Sequence, residues 1–142
     1  MVVIRFDELS EAFDFVGSAP EGENEAYISL ETGRIYWISE LSPPDVDIPD
    51  DLETSEKYLV VPHRADLELG KNLALRFAGE RLPEYYGQVE ALFRRRGAYR
   101  RFKDLLESKE VLEQWYAYEN EATERALKEW CSENGIELID RD

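Results

Sequence analysis

The chain has 142 residues, of which 43% are hydrophobic and 12% are aromatic. This length and apolar content are typical of a single folded domain, 1–142, and exclude a wholly disordered chain, because enough apolar surface is present to offset the lost chain entropy. The formal net charge of −15 at pH 7 disfavours nonspecific DNA binding by the whole molecule, since the phosphates would repel it.

The cysteine content and the amino-terminal sequence both predict a cytoplasmic location. Cys131 is the only cysteine, so an intramolecular disulfide is excluded and a reducing compartment fits. Cys131 lies beside Trp130 near a predicted helix end, a position that indicates a small buried hydrophobic side chain rather than a reactive thiol. The chain starts without the cationic region and cleavage site of a secretory signal, and no apolar run is long enough to cross a bilayer.

The first half of the chain predicts one helix followed by a small sheet. Residues 7–18 carry apolar side chains at steps of three and four, which indicates an amphipathic helix. Residues 26–39 are rich in β-branched and aromatic residues on both sides of Gly33, which predicts a β-hairpin whose turn requires a positive φ. Residues 57–62 predict a third strand that pairs with this hairpin.

An acidic loop separates the hairpin from the third strand. Residues 41–56 contain three prolines and six carboxylates, a composition that prevents a regular β-ladder and predicts a flexible segment. Asp45 and Glu56 have the spacing of the first and last ligands of an EF-hand calcium loop, but Asp50 stands where that loop needs glycine. We therefore predict no metal site and no cofactor.

The second half of the chain predicts helices. Helical spacing of apolar residues begins near Asp66, and a short helix is expected at 98–107. The longest helix is expected at 109–133, with Ser108 as its N-cap. The predicted fold class is therefore α+β: a small antiparallel sheet packed with four or five helices, of which the longest is C-terminal.

The positive charges of the chain are concentrated in one segment. Six of the seventeen Lys and Arg residues lie within positions 94–103, which we call the cationic segment. By contrast, residues 1–56 hold fifteen carboxylates and two cations. The candidate binding residues are the cations of the segment and one tyrosine that lies off the apolar stripe of the longest helix: Arg94, Arg95, Arg96, Arg100, Arg101, Lys103 and Tyr116.

Three interpretations of the cationic segment remain open. The segment could be a solvated helix face, with Arg100 paired to Asp104 and Lys103 to Glu107 at i,i+4. Its arginines could instead bind carboxylates, either on a partner or on the acidic half of the same chain. In the third interpretation, arginines and neighbouring aromatic rings grip a single-stranded nucleic acid.

Four sequence blocks resemble a known family. They are GAYRRFKDLL at 97–106, WYAYENE at 115–121, ALKEWCSENGIE at 126–137 and, upstream, AYISLETGRIYWI at 26–38. Together they are similar to a bacterial uncharacterised protein family of the UPF series. The resemblance implies no activity, cofactor or catalytic residue. It does imply that the most recognisable block of the family coincides with part of the cationic segment, at Gly97, Arg100, Arg101, Phe102 and Lys103.

The sequence specifies no particular activity, because the common nucleophile, phosphate-binding, dinucleotide-binding and zinc-protease motifs are all missing. We favour a non-enzymatic interaction or regulatory module that binds an acidic protein surface or a small anionic ligand through the cationic segment. One alternative is a nucleic-acid-binding protein that uses the same patch, and another is an enzyme built from dispersed carboxylates. Opposite charge blocks on one chain are also compatible with a homodimer.

Overall fold

The structure is a computed structural model and describes residues 2–20, 22–39 and 48–139. The chain forms two compact units. The first unit contains residues 1–67 together with 127–142, and the second contains residues 68–126. Each unit has buried apolar side chains of its own.

The first unit contains five strands and one complete α-helix among its described residues. In chain order they are β1 (Val2–Arg5), α1 (Phe6–Gly17), β2 (Asn24–Ser29), β3 (Ile35–Ser39), β4 (Tyr58–Val60) and β5 (Ile136–Ile139). Strand β2 lies between β3 and β4 and pairs with both in the antiparallel direction. Helix α1 begins without a side-chain cap and buries its apolar stripe, which consists of Leu9, Ala12, Phe13 and Val16.

The predicted hairpin is confirmed, and Gly33 forms its turn as expected. Gly33 has a φ of +82° and donates its N–H to the carbonyl of Ser29 at 2.8 Å. The hydroxyl of Ser29 accepts the N–H groups of Glu31 and Thr32 at 3.3 and 3.2 Å. These bonds satisfy three backbone N–H groups of the turn, those of Glu31, Thr32 and Gly33.

A second sheet was not predicted from the sequence. Strands β1 and β5 pair in parallel, with Val2 opposite Ile136 and Arg5 opposite Ile139. Ile4 and Ile136 point into the core, with exposed fractions of 2% and 4%. Each strand has only four residues, so neither carries enough alternation to indicate a strand by itself.

The predicted acidic loop, 41–56, is described only in its second part. Residues 41–47, including Asp45 of the calcium spacing considered above, lie outside the described residues. From residue 48 onward the backbone forms consecutive turns, in which Leu52 donates to the carbonyl of Pro49 and Ser55 donates to that of Asp51. Leu52 is 4% exposed, so an apolar side chain anchors this acidic stretch.

The second unit is helical. Its elements are α2 (Lys71–Arg81), α3 (Tyr86–Leu92), α4 (Ala98–Ser108) and the larger part of α5 (Leu112–Glu133), whose last residues belong to the first unit. The predicted cap at Ser108 is wrong, because its hydroxyl bonds back to the carbonyl of Leu105 at 2.6 Å and so closes the end of α4. Helix α5 consequently begins later than expected, after Glu110 has taken a φ of +61°.

Aromatic rings form the core of the second unit. Trp115 and Phe102 are fully buried, and their ring centroids are 5.1 Å apart in an edge-to-face arrangement. Phe77 contacts Trp115 at 5.4 Å, and Phe93 contacts Phe102 at 5.6 Å. Offset and edge-to-face pairs of this kind add to the free energy gained by burying the rings. The described residues therefore have an α+β fold with five helices, as predicted, and the longest is the C-terminal one.

Cys131 is a buried thiol, as its sequence context predicted. It is 1% exposed, and burial raises the pKa of its thiol from 9.0 to about 11. Burial acts in this direction because a thiolate loses its hydration in an apolar environment.

We expect the Cys131 thiol of the folded protein to react with a disulfide reagent at pH 8 about a hundredfold more slowly than in the urea-unfolded chain. The two-unit rise in pKa alone reduces the thiolate fraction by about this factor. The measurement is the absorbance over time of the coloured thiol that the disulfide reagent releases when Cys131 reacts with it. The native rate should keep rising with pH toward 11, whereas a plateau near pH 9 would contradict the assigned environment.

Candidate functional site

The cationic segment forms the turn after α3 and the first part of α4. Arg94, Arg95 and Arg96 lie in the turn, and Gly97 takes a left-handed conformation with a φ of +74° immediately before α4 starts. All six cations of the segment are exposed. The turn and the helix thus present these charges on the surface of the second unit.

The start of α4 is electrostatically unusual. Its first turn contains no acidic residue and includes Arg100 and Arg101. The N-terminus of a helix carries partial positive charge, so cations there reduce helix stability by about 0.3–1 kcal/mol, whereas carboxylates would increase it. The arginines and the helix dipole therefore add to one positive potential, an arrangement that favours anion binding over helix stability.

Apolar residues of α4 hold this surface in place. Phe102 and Leu106 are fully buried and point into the aromatic core. Tyr99 is 39% exposed, and its ring packs at the edge of the core against Phe93, with centroids 5.3 Å apart. Its hydroxyl lies 3.1 Å from the position that a Cβ on Gly70 would occupy. Tyr99 is thus fixed at the rim and not enclosed by the core.

Lys103 and Tyr116 are brought together by the fold. The ammonium of Lys103 lies 5.6 Å from the centroid of the Tyr116 ring, within the range of a cation–π contact. Tyr116 is 41% exposed, as its position off the apolar stripe suggested. Two of the candidate residues, predicted separately, therefore form one contact between α4 and α5.

Among the described residues, most arginines of the segment form no ion pair with a carboxylate. Arg94 pairs with Glu90 at 3.4 Å. Neither of the i,i+4 pairs considered for Arg100 and Lys103 forms an ion pair within 4.0 Å in the described part of the chain. Within those residues, the other four arginines also lack a carboxylate at this distance: Arg95, Arg96, Arg100 and Arg101.

The net charge divides sharply between the two units. The second unit contains eleven Lys and Arg and eleven Asp and Glu, so its formal charge is zero. The first contains six cations and twenty-one carboxylates, so it accounts for the whole −15. Part of the acidic segment that could compete for the arginines, 41–47, lies outside the described residues.

A cleft in the second unit contains arginines that sequence reasoning did not select. It has a volume of about 290 Å³ and lies between α2 and α5. Its cations are already engaged: Arg125 pairs with Glu121 at 3.2 Å, and Arg81 donates to Gln114 at 3.1 Å. Burial and a hydrogen bond to Glu80 raise the pKa of the Tyr118 hydroxyl. These groups line one cleft only because α2 and α5 each contribute side chains to it. No pattern in the sequence indicates that these two helices come together.

A further cleft lies in the first unit, between α1 and β3. Its volume is about 350 Å³, and it is lined by Glu8, Glu11, Arg34, Ile35 and Trp37. The sequence carried one signal for it, a tryptophan on a hairpin strand, but the carboxylates that face it come from a helix earlier in the chain.

The described residues contain no group of three or more His, Cys, Asp and Glu side chains that could hold a metal ion. Both ring nitrogens of His63 make hydrogen bonds: Nδ1 accepts the N–H of Ala65 at 3.1 Å, and Nε2 lies 3.0 Å from the carbonyl of Ala19. Since Nδ1 accepts a hydrogen bond, Nε2 carries the proton and its N–H donates to the carbonyl of Ala19.

Among the described residues, no helix combines the length and apolar character needed to cross a bilayer.

These features define a small α+β protein with a helical unit that displays arginines and an acidic unit that contains one parallel and one antiparallel sheet. The chain belongs to the Uncharacterised protein family UPF0158, whose model matches residues 1–142. It is 29% identical over 139 residues to the UPF0158 protein PA5073 of Pseudomonas aeruginosa, an alignment that covers 96% of this chain and 86% of that protein. The resemblance to an uncharacterised bacterial family is thereby confirmed. No solved structure matches the chain.

Proposed function

We propose that this chain is a non-enzymatic interaction module that binds an acidic protein surface through the cationic segment. One observation carries the proposal: four exposed arginines, at positions 95, 96, 100 and 101, have no carboxylate within 4.0 Å among the described residues. A guanidinium can bind a carboxylate through two parallel hydrogen bonds, which are stronger than those between neutral groups. Four such groups on one surface therefore offer several charge-assisted contacts to a partner.

The charge of the rest of the molecule favours carboxylates over a nucleic acid as the bound anions. Screening at physiological salt limits the reach of exposed charges to about 8 Å, so a short acidic patch interacts mainly with the segment itself. An extended polyanion carries charge along its whole length and is repelled by a protein of net charge −15.

The test is a charge reversal measured with a defined probe. We expect the variant R95E/R100E/R101E to bind a fluorescent glutamate-rich peptide about a hundredfold more weakly than the wild type does, because three exposed ion pairs worth up to about 1 kcal/mol each are lost. Fluorescence anisotropy gives both affinities. Circular dichroism should show the same helix content in both proteins, since all three side chains are exposed.

The control is K57E/K71E/K128E, which makes the same change in net charge outside the cationic segment. Its fold-loss of affinity for the peptide should be less than about a tenth of that of the arginine variant. Equal losses in the two variants would contradict a specific surface. Tighter binding of an oligonucleotide of equal charge, with a steep dependence on salt, would replace the proposal with the nucleic-acid alternative.

A further inference from the structure

The side chain of Trp37 is unusually accessible for its size. It is 43% exposed and lies on β3, which is an edge strand because β2 is its only partner in the described sheet. Its ring packs against Phe15, with centroids 4.9 Å apart and planes inclined by 41°. The indole is therefore held by a neighbouring ring while the rest of its surface lines the cleft of the first unit.

Two carboxylates share this cleft. Glu8 and Glu11 are three residues apart on α1 and consequently lie on one side of the helix. Both are exposed, because the opposite side of α1 is buried in the core. Within the described residues, neither carboxylate has a cationic partner within 4.0 Å.

The cation of the cleft does not neutralise these carboxylates. Arg34 lines the cleft, but its guanidinium carbon lies 4.7 Å from the centroid of the Tyr36 ring, in a cation–π contact. The first unit also carries the whole net charge of the chain. A cleft in a strongly acidic surface concentrates cations, and this one has an aromatic face and two carboxylates without an ion-pair partner among the described residues.

We propose that this cleft binds the guanidinium group of an arginine side chain supplied by another molecule. A guanidinium is planar and can stack on an indole while its N–H groups donate to carboxylates. A compact ammonium offers no such plane, and an anion would be repelled. The volume of about 350 Å³ is near the lower end for ligand pockets, so it suits one side chain and not a nucleotide. The residues of this cleft belong to the first unit, and those of the cationic segment belong to the second.

The test follows the indole N–H signals of the three tryptophans by NMR. We expect N-acetylarginine amide to shift the Trp37 signal in a saturable manner and to leave the signal of Trp115, which is fully buried, unchanged. The variant W37F assigns the signal by its disappearance. The matched ligand is N-acetylcitrulline amide, which has almost the same shape but no charge, and it should produce no saturable shift.

Two protein variants separate the cleft from general acidity. E8Q/E11Q should bind N-acetylarginine amide about tenfold or more weakly, since two charged acceptors are lost. E53Q/E56Q removes two exposed carboxylates of the same unit that do not line the cleft and should bind as the wild type does. Both variants should keep the circular dichroism spectrum of the wild type.

Equal shifts with arginine and citrulline amides would overturn the proposal, and so would wild-type affinity in E8Q/E11Q. The variant R95E/R100E/R101E, which tests the cationic segment, should keep its affinity for N-acetylarginine amide. The cleft and the cationic segment can therefore fail or succeed independently of one another.

Discussion

Replacing Phe102 with alanine is expected to destabilise the protein by about 3–5 kcal/mol, the usual range for removal of a buried aromatic side chain. Phe102 is fully buried, with ring contacts to Phe93 at 5.6 Å and Trp115 at 5.1 Å. Loss of the ring would leave a cavity at the centre of the second unit. Among the described residues, the indole N–H of Trp115 is buried without a hydrogen-bond partner, so ring packing and not a hydrogen bond holds this indole in place.

The measurement is the free energy of unfolding from urea denaturation followed by tryptophan fluorescence. Tyr116→Ala is the matched control, because Tyr116 is also aromatic and close to α4 but is 41% exposed. It should lower the free energy of unfolding by less than about 1 kcal/mol. Similar losses for the two substitutions would mean that Phe102 does not organise the core that supports the cationic segment.

Replacing Gly33 with alanine is expected to destabilise the protein by about 2–4 kcal/mol, for two independent reasons. The φ of +82° is unfavourable for any residue with a Cβ. In addition, the new Cβ would lie 2.9 Å from the carbonyl oxygen of Val3 and 3.2 Å from Cγ2 of Val2. The hairpin turn and strand β1 would have to separate, because a backbone oxygen in a paired strand cannot move aside as a flexible side chain can.

Gly22→Ala is the control that isolates the contact. Gly22 also has a positive φ, +89°, but a Cβ there would have no atom of the described residues within 4 Å outside its chain neighbours. It should lose only the conformational part, about 1 kcal/mol, in the same urea experiment. If Gly22→Ala and Gly33→Ala lost equal amounts of stability, the close approach of the turn to β1 would be refuted.

Local patterns in the sequence were sufficient for most of the fold. The spacing of apolar residues on α1 and α4, the β-branched and aromatic residues of the hairpin and the glycine at position 33 each express a requirement of the backbone within a few residues. The start of α5 was misplaced because Ser108, a good N-cap by type, closes the preceding helix instead. Capping residues can serve either of two adjacent helix ends, and only the hydrogen bond decides between them.

The two candidate sites differ in how far the sequence reveals them. The cations of residues 94–103 are contiguous, so their charge is visible in the sequence, although the contact of Lys103 with Tyr116 is not. The cleft around Trp37 joins a helix and a strand, so its carboxylates and its ring are separated along the chain. Such a site depends on how the elements pack, and no spacing rule expresses that.

The sequence by itself determined the elements with strong local periodicity, the antiparallel hairpin and the concentration of positive charge in residues 94–103. Only the tertiary structure decided that β1 and β5, at opposite ends of the chain, pair in parallel, and that Glu8, Glu11 and Trp37 line one cleft. The physical reason is that periodicity and turn chemistry act over a few residues, whereas pairing and packing between distant segments depend on the energy of the whole core.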